Sequence, residues 1–212
     1  VSSAVTRIDR FVALAVVGPS GSGKSTLCSR ILSEFTDFRL SISTTTRAPR
    51  GNEQEGVHYH FLDKTHFRAK IDANAFLEWA EVHGNYYGTD AQVLERARAD
   101  QAGGVLFDID HQGARQIRAT LSSLVTVLIV PPSWQELERR LRTRGTENDE
   151  TLQKRLKNAH GELAHYGMFD YAIINDDLQK AQQDLVSIVR AERARRNRSA
   201  EAIELLLRNS RP

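Results

Sequence analysis

An apolar run at residues 11–17, FVALAVV, leads directly into Gly18-Pro19-Ser20-Gly21-Ser22-Gly23-Lys24-Ser25, and a segment of helical period follows over 25–35. No other feature constrains the chain so strongly. Apolar residues on both faces suit a central strand of a parallel sheet. A G-x-x-x-x-G-K-[ST] pattern between such a strand and a helix is a phosphate cradle. Its glycines let main-chain N–H groups curl round a phosphate, and the helix N-terminus adds about half a positive charge. In this arrangement Lys24 bridges the β- and γ-phosphates and the Ser25 hydroxyl ligates Mg²⁺. The stretch from Gly18 to Thr26 therefore implies a nucleoside triphosphate site.

Three more apolar runs, at 105–107, 125–130 and 171–174, alternate with helical periods at 112–119, 133–142 and 178–196. Ser133 and Glu136 form an S-x-x-E capping box after Pro131-Pro132. This alternation predicts an α/β protein, a parallel sheet flanked by helices. Residues 105–110, VLFDID, bring Asp108 and Asp110 to the C-terminal edge of their strand, where α/β sheets bind ligands. Either would hold Mg²⁺ through water or contact the acceptor; a capping role is the alternative.

The single cysteine, Cys28, excludes an intramolecular disulfide and fits a reducing, cytoplasmic setting. No apolar run approaches the ~20 residues of a membrane helix. With 29 basic against 27 acidic residues, the charge balance is not that of a nucleic-acid coat. The basic stretch at 190–198, RAERARRNR, reads as a solvated terminal helix. Residues 1–10 read as a frayed end, and the histidines have no spacing that argues for zinc with Cys28.

Residues 41–98 break the alternation. They are rich in Thr, Gly, His and Tyr, with a short helix candidate at 67–71 and a strand-like piece at 76–82, and they suggest an inserted subdomain of short antiparallel strands. Arg47 and Arg50 flank Pro49, and guanidinium forks suit phosphate dianions. Glu53, Tyr59, Glu78-Trp79 and Tyr86-Tyr87-Gly88-Thr89 follow. A second polar stretch, 142–150, reads as a mobile flap. The ELLLR segment within 201–208 would pack on the core or against a second subunit, which leaves a homo-oligomer open.

Seven linked motifs make the chain resemble the guanylate kinases, from Val12 to about Arg193. They are GPSGSGKST, STTTRAPR, Glu53 with GVHY, FLEWAEVHGNYYGT, DIDHQGA, RRLRTRG followed by KRL, and IIND. The resemblance implies a phosphate-loop core at 11–40 and 99–193 with a lid at about 142–155. It also implies a GMP-binding insert at 41–98, with 194–212 as a helical tail. ATP would be the donor with Mg²⁺, held by Ser25 and Asp108, and GMP and dGMP the acceptors, with no nucleic-acid or membrane partner.

By matching position, Ser43, Arg47, Arg50, Glu53, Tyr59, Glu78, Tyr87, Thr89 and Asp110 line the GMP site. Arg47, Arg50, Tyr59 and Tyr87 hold its phosphate, and Glu78, Ser43 and Thr89 read its base. A carboxylate accepts from guanine N1–H and the 2-amino group, whereas adenine offers an acceptor at N1; such polar pairing rejects the wrong base by roughly 10⁴–10⁵. The alternative is that Glu78 merely flanks a core Trp79. Lys24, Arg47, Arg140, Arg144 and Arg155 would serve the transferring phosphoryl group, and Asn175 lies near the donor adenine. Two positions depart from the family: Gly51-Asn52-Glu53 replaces P-G-E, and Asp90 stands at the edge of the expected base pocket. The rival reading is a guanylate-kinase-like phosphopeptide-binding module.

Overall fold

Along β1 (Val12–Val17) successive side chains enter two different cores. Val12, Leu14 and Val16 pack with Leu27, Ile31, Leu185 and Val189 on one face. Ala13, Ala15 and Val17 pack with Ala97, Ala114 and Ile117 on the other. That is the physical content of the unbroken apolar run: a strand covered on both faces has no polar side. Truncating a fully buried side chain such as Leu14 to Ala would cost roughly 2–5 kcal/mol.

The computed structural model describes residues 9–82, 84–144 and 149–209; for Arg144 only the backbone is described. The expectation of a frayed start falls mostly outside these residues, as does the centre of the 142–150 flap. After β1 come α1 (Lys24–Glu34), β2 (Phe38–Leu40), β3 (Thr44–Thr45) and β4 (His60–Phe61). Then follow α2 (Lys64–Asp72), β5 (Phe76–Val82), β6 (Asn85–Asp90), α3 (Gln92–Ala99) and β7 (Gly104–Asp108). The chain continues through α4 (His111–Thr120), β8 (Val125–Val130), α5 (Trp134–Arg144) and α6 (Asp149–Ala164). It closes with β9 (Tyr171–Ile174), α7 (Leu178–Arg193) and α8 (Ala200–Asn209).

One sheet has the order β2-β7-β1-β8-β9 and is parallel throughout. The strand order changes direction beside β1, so the loop leaving it opens into the crevice where such sheets bind ligands. The second sheet, β4-β3-β6-β5, is not wholly antiparallel as expected, because β3 and β4 run parallel. Its own small core stacks Phe67 on Phe76 and Tyr86, with ring centroids 4.4 and 5.4 Å apart.

The basic stretch near the end of α7 is solvated only in part: Arg190, Arg195 and Arg196 are exposed as expected, whereas Arg193 and Arg198 turn inward. The helix stops at Arg193, whose guanidinium lies over the Phe35 and Phe38 rings and pairs with Asp37 at 2.7 Å. Arg198 donates to the carbonyls of Glu192 and Phe11, and Glu192 itself is 1% exposed, accepting from the Tyr171 hydroxyl. These cations are structural groups. No helix among the described residues is long and apolar enough to cross a membrane.

Candidate active site

The phosphate loop is shaped by what surrounds it. Gly23, with φ of 95°, precedes α1 in the left-handed region, and a Cβ there would collide with Asn175 Nδ2. Both facts demand glycine. Asn175 Nδ2 donates to Ser22 O at 2.7 Å, and Arg140 reaches the same carbonyl at 3.5 Å and Asn175 O at 3.1 Å. The loop is thereby braced from α5 and from the turn after β9. A cleft of about 510 Å³ opens here, lined by Gly21, Gly23, Thr26, Arg140 and Asn175 among others.

Lys24 lies at the C-terminal edge of the large sheet, 2.6 Å from Asp108 Oδ1, and donates to Ile109 O at 3.2 Å. Ser25 is exposed in the first turn of α1. A hydroxyl and a carboxylate at one sheet edge are the hard oxygen donors that Mg²⁺ takes. Asp110 caps α4, accepting from Gly113 N at 2.8 Å, so the capping alternative describes its contacts here.

The expected lid arginines sit on two helices. Arg140, on α5, is aimed by Glu136, which accepts from it at 2.8 Å and from Arg139 at 2.7 Å. Those two guanidinium groups hold the Glu136 carboxyl down at about 2. The capping box is therefore half formed: Ser133 Oγ accepts from Glu136 N at 3.1 Å, but the Glu136 side chain goes to the arginines. Arg155 is half-buried on α6, and Arg144 ends α5.

On the small sheet, Arg47 is buried and its guanidinium lies over the Tyr59 ring, 5.4 Å from the centroid. It donates to Glu53 Oε1 at 2.9 Å and to Ala48 O at 2.8 Å. The other Glu53 oxygen accepts from Arg50 N at 2.8 Å. Arg47 and the Arg50 amide hold the Glu53 carboxyl below the usual range. The Tyr59 and Tyr87 rings meet edge-on with centroids 6.2 Å apart. Arg47 and two tyrosines thus converge, with Glu53 fixing the arginine loop despite Asn52; Arg50 is exposed and joins the arrangement through its main-chain amide.

Glu78 is 9% exposed and its neighbour Trp79 39% exposed, which reverses the burial that a core Trp79 would need. A register irregularity between Phe76 and Glu78 precedes the carboxylate, the kind of bulge that re-aims a side chain. The Thr89 hydroxyl donates to Glu78 Oε1 at 2.7 Å. Burial, outweighing that hydrogen bond, pushes the Glu78 carboxyl up, with Asp110 adding to the shift. Ser43 is half-buried beside β3, where its carbonyl accepts from His60 N at 2.9 Å. Asp90 does not face Glu78 and Thr89: its carboxylate pairs with Lys70 at 2.5 Å and accepts from Gln92 N, at the start of α3, at 2.8 Å.

Three neighbours of the site escaped the sequence reading. Glu136 orients Arg140, and its only sequence signal was the capping box. Glu162, on α6, is pushed up by burial and feels Lys24 and Asp110. Gln116, on α4, bonds the backbone of Trp79. Neither of the last two sits in a patterned motif of its own.

Fold and site together define a phosphate-loop α/β kinase that pairs its triphosphate cradle with a second cluster, Arg47 with Tyr59 and Tyr87, at the small sheet. The sequence model of guanylate kinase matches residues 11–192. A guanylate kinase of Aromatoleum aromaticum is 50% identical over 182 residues, 86% of this chain and 89% of that protein. One from Myxococcus xanthus is 47% identical over 186 residues, covering 87% and 88%. A crystal structure of guanylate kinase from Anaplasma phagocytophilum superposes with a TM-score of 0.70 at 33% identity, covering 88% of each chain. The chain belongs to the guanylate kinase family, and it is an enzyme of the nucleoside monophosphate kinase type.

Proposed function

We propose that the protein transfers the γ-phosphoryl group of ATP to GMP, giving ADP and GDP, with Mg²⁺ and with dGMP as a second acceptor. The observation that carries this reading is the buried Glu78 carboxylate, held by Thr89 on the same sheet as the Arg47–Tyr59–Tyr87 cluster. A buried acceptor pair suits the N1–H and 2-amino edge of guanine, and the cationic cluster suits its phosphate.

Phosphoryl transfer asks the protein for alignment and positive charge rather than covalent chemistry. The loop from Gly18 to Thr26 would bind the donor phosphates through main-chain amides and Lys24, and Asn175 holds that loop from behind. Arg47, Arg50, Tyr59 and Tyr87 would fix the acceptor phosphate. Ser43, Glu78 and Thr89 would read the base, with Asp110 beside them. Arg140, Arg144 and Arg155 would meet the charge that develops between the nucleotides. Ser25 and Asp108 would hold Mg²⁺, which when bound neutralises phosphate charge. On this reading residues 11–40 and 99–193 form the core, about 142–155 the lid, 41–98 the acceptor domain and 194–212 a tail. The setting is cytoplasmic, as the lone buried Cys28 suits.

The phosphopeptide-binding alternative is not favoured, because the phosphate loop and the lysine it needs are complete. Incubation with MgATP and each of GMP, AMP, UMP and CMP, following ADP release, tests the reading. Release with GMP far above the other three is expected; equal release with GMP and AMP would overturn it.

A further inference from the structure

The expected base pocket is built from both sheets. Thr89 and the strand bearing Glu78 belong to the small sheet, whereas the opposite wall is the first turn of α4, which follows β7 of the large one. Glu78 lies hard against that wall: a Cβ added to Gly113 would stand 3.3 Å from Glu78 Oε2 and 3.5 Å from Asp110 Oδ1. Nothing about Thr89 keeps the two walls together, because it moves with Glu78.

Leu77, before Glu78 on β5, packs against the core that includes Ala114 and Ile117 of α4, and the polar joint on the other side of Glu78 is Gln116. β5 is the edge strand of the small sheet. Next to Glu78, the main-chain N–H of Trp79 donates to Gln116 Oε1 at 3.2 Å, and Gln116 Nε2 donates to Trp79 O at 3.1 Å. A carboxamide presents one acceptor and two donors, so Gln116 matches a strand edge as a neighbouring peptide group would. It sits one turn along α4 from Gly113, on the same helical face.

The geometry points to Gln116 as a positioning residue for base selection. It locks the strand carrying Glu78 onto α4, so that the carboxylate is presented at a fixed depth against Gly113. It touches no nucleotide. This inference rests on Glu78 reading guanine, as set out under Proposed function.

The test compares Gln116→Met, which keeps length but loses both hydrogen bonds, with Glu78→Gln, using MgATP with GMP or IMP as acceptor. IMP keeps N1–H and lacks the 2-amino group, so the GMP:IMP ratio of kcat/KM reports carboxylate placement. Gln116→Met should raise KM for GMP about tenfold, the weight of two ordinary hydrogen bonds. It should also lower the GMP:IMP ratio while KM for ATP stays put. An unchanged ratio overturns the inference, and so does an equal loss for both acceptors with a lowered Tm, which would mark a merely structural glutamine. A Glu78→Gln protein that still prefers GMP as strongly as the parent would overturn the underlying reading as well. That result is told apart because it appears in the Glu78 variant itself.

Discussion

Asn175 and Ser22, 153 positions apart in the chain, are joined by a 2.7 Å hydrogen bond from the Asn175 side-chain amide to the Ser22 carbonyl. Through it the turn after β9 sets the curvature of a loop that begins at the end of β1. The bond is buried, and its donor also crowds Gly23 so closely that no side chain fits there.

Asn175→Ala should therefore weaken the donor site selectively. Leaving the Ser22 carbonyl short of a partner costs about 1–3 kcal/mol of stability. KM for ATP should rise about tenfold if a comparable free energy is lost from the loop's bound shape. KM for GMP should not move. Steady-state kinetics with each substrate varied in turn, beside a thermal melt, checks both parts.

Lys24→Ala removes the cation that pairs with Asp108 at 2.6 Å and would leave that carboxylate facing the proposed donor-phosphate site. Turnover should fall by at least about 10²–10³, the usual cost of deleting one preorganised charge-stabilising donor. Calorimetric titration with GMP should give nearly the parent affinity, since Arg47, Tyr59 and Tyr87 lie on the other sheet. Retained turnover would remove Lys24 from its assigned role.

Glu53→Gln acts at one remove. The carboxylate accepts from Arg47 and from Arg50 N, and an amide cannot accept at both ends. KM for GMP should increase roughly tenfold, with KM for ATP unchanged. The Glu53 carboxyl is held below its ordinary value. Its contribution is thus present above the ordinary glutamate range and fades only as pH falls through the lowered value. The parent should keep its Arg47 loop ordered under mildly acid conditions, read as GMP affinity relative to the variant.

Glu78 has the opposite sign. Burial raises its carboxyl above 4.5, so protonation begins at a higher pH than in an ordinary glutamate. Ionisation in the fold is costly, and stability from this group grows as pH falls through the raised value. GMP affinity should decline over that same interval, because a protonated carboxyl no longer offers two acceptors. The profile of the parent minus that of Glu78→Gln isolates the effect, since the titration of GMP itself cancels. A flat difference between 4.5 and neutrality would count against Glu78 as the base reader.

How much was legible follows from where each signal lives. The runs at 125–130 and 171–174 coincide with β8 and β9 to the residue. β8 is buried along almost its whole length, whereas β9 is an edge strand with only Ile173 buried, and its YAII stands out because polar residues bound it on both sides. β2 was missed: it is three residues long, FRL, only Phe38 is buried, and it offers no apolar run. The helix α3 carries too many charges to stand out, and it is held by a few contacts such as Ala97.

The chain's own order determined the phosphate loop, the alternating core and the arginine–tyrosine set, because each depends on residues close in sequence or on unbroken burial. Tertiary structure alone decided that Glu78 is buried and Trp79 exposed, that Asp90 turns to Lys70, and that Arg193 and Arg198 work inside the fold. It alone brought Gln116 to the backbone of Trp79 and Asn175 to that of Ser22. A main-chain carbonyl has the same chemistry at every position, so no residue pattern can announce which one a distant side chain will meet.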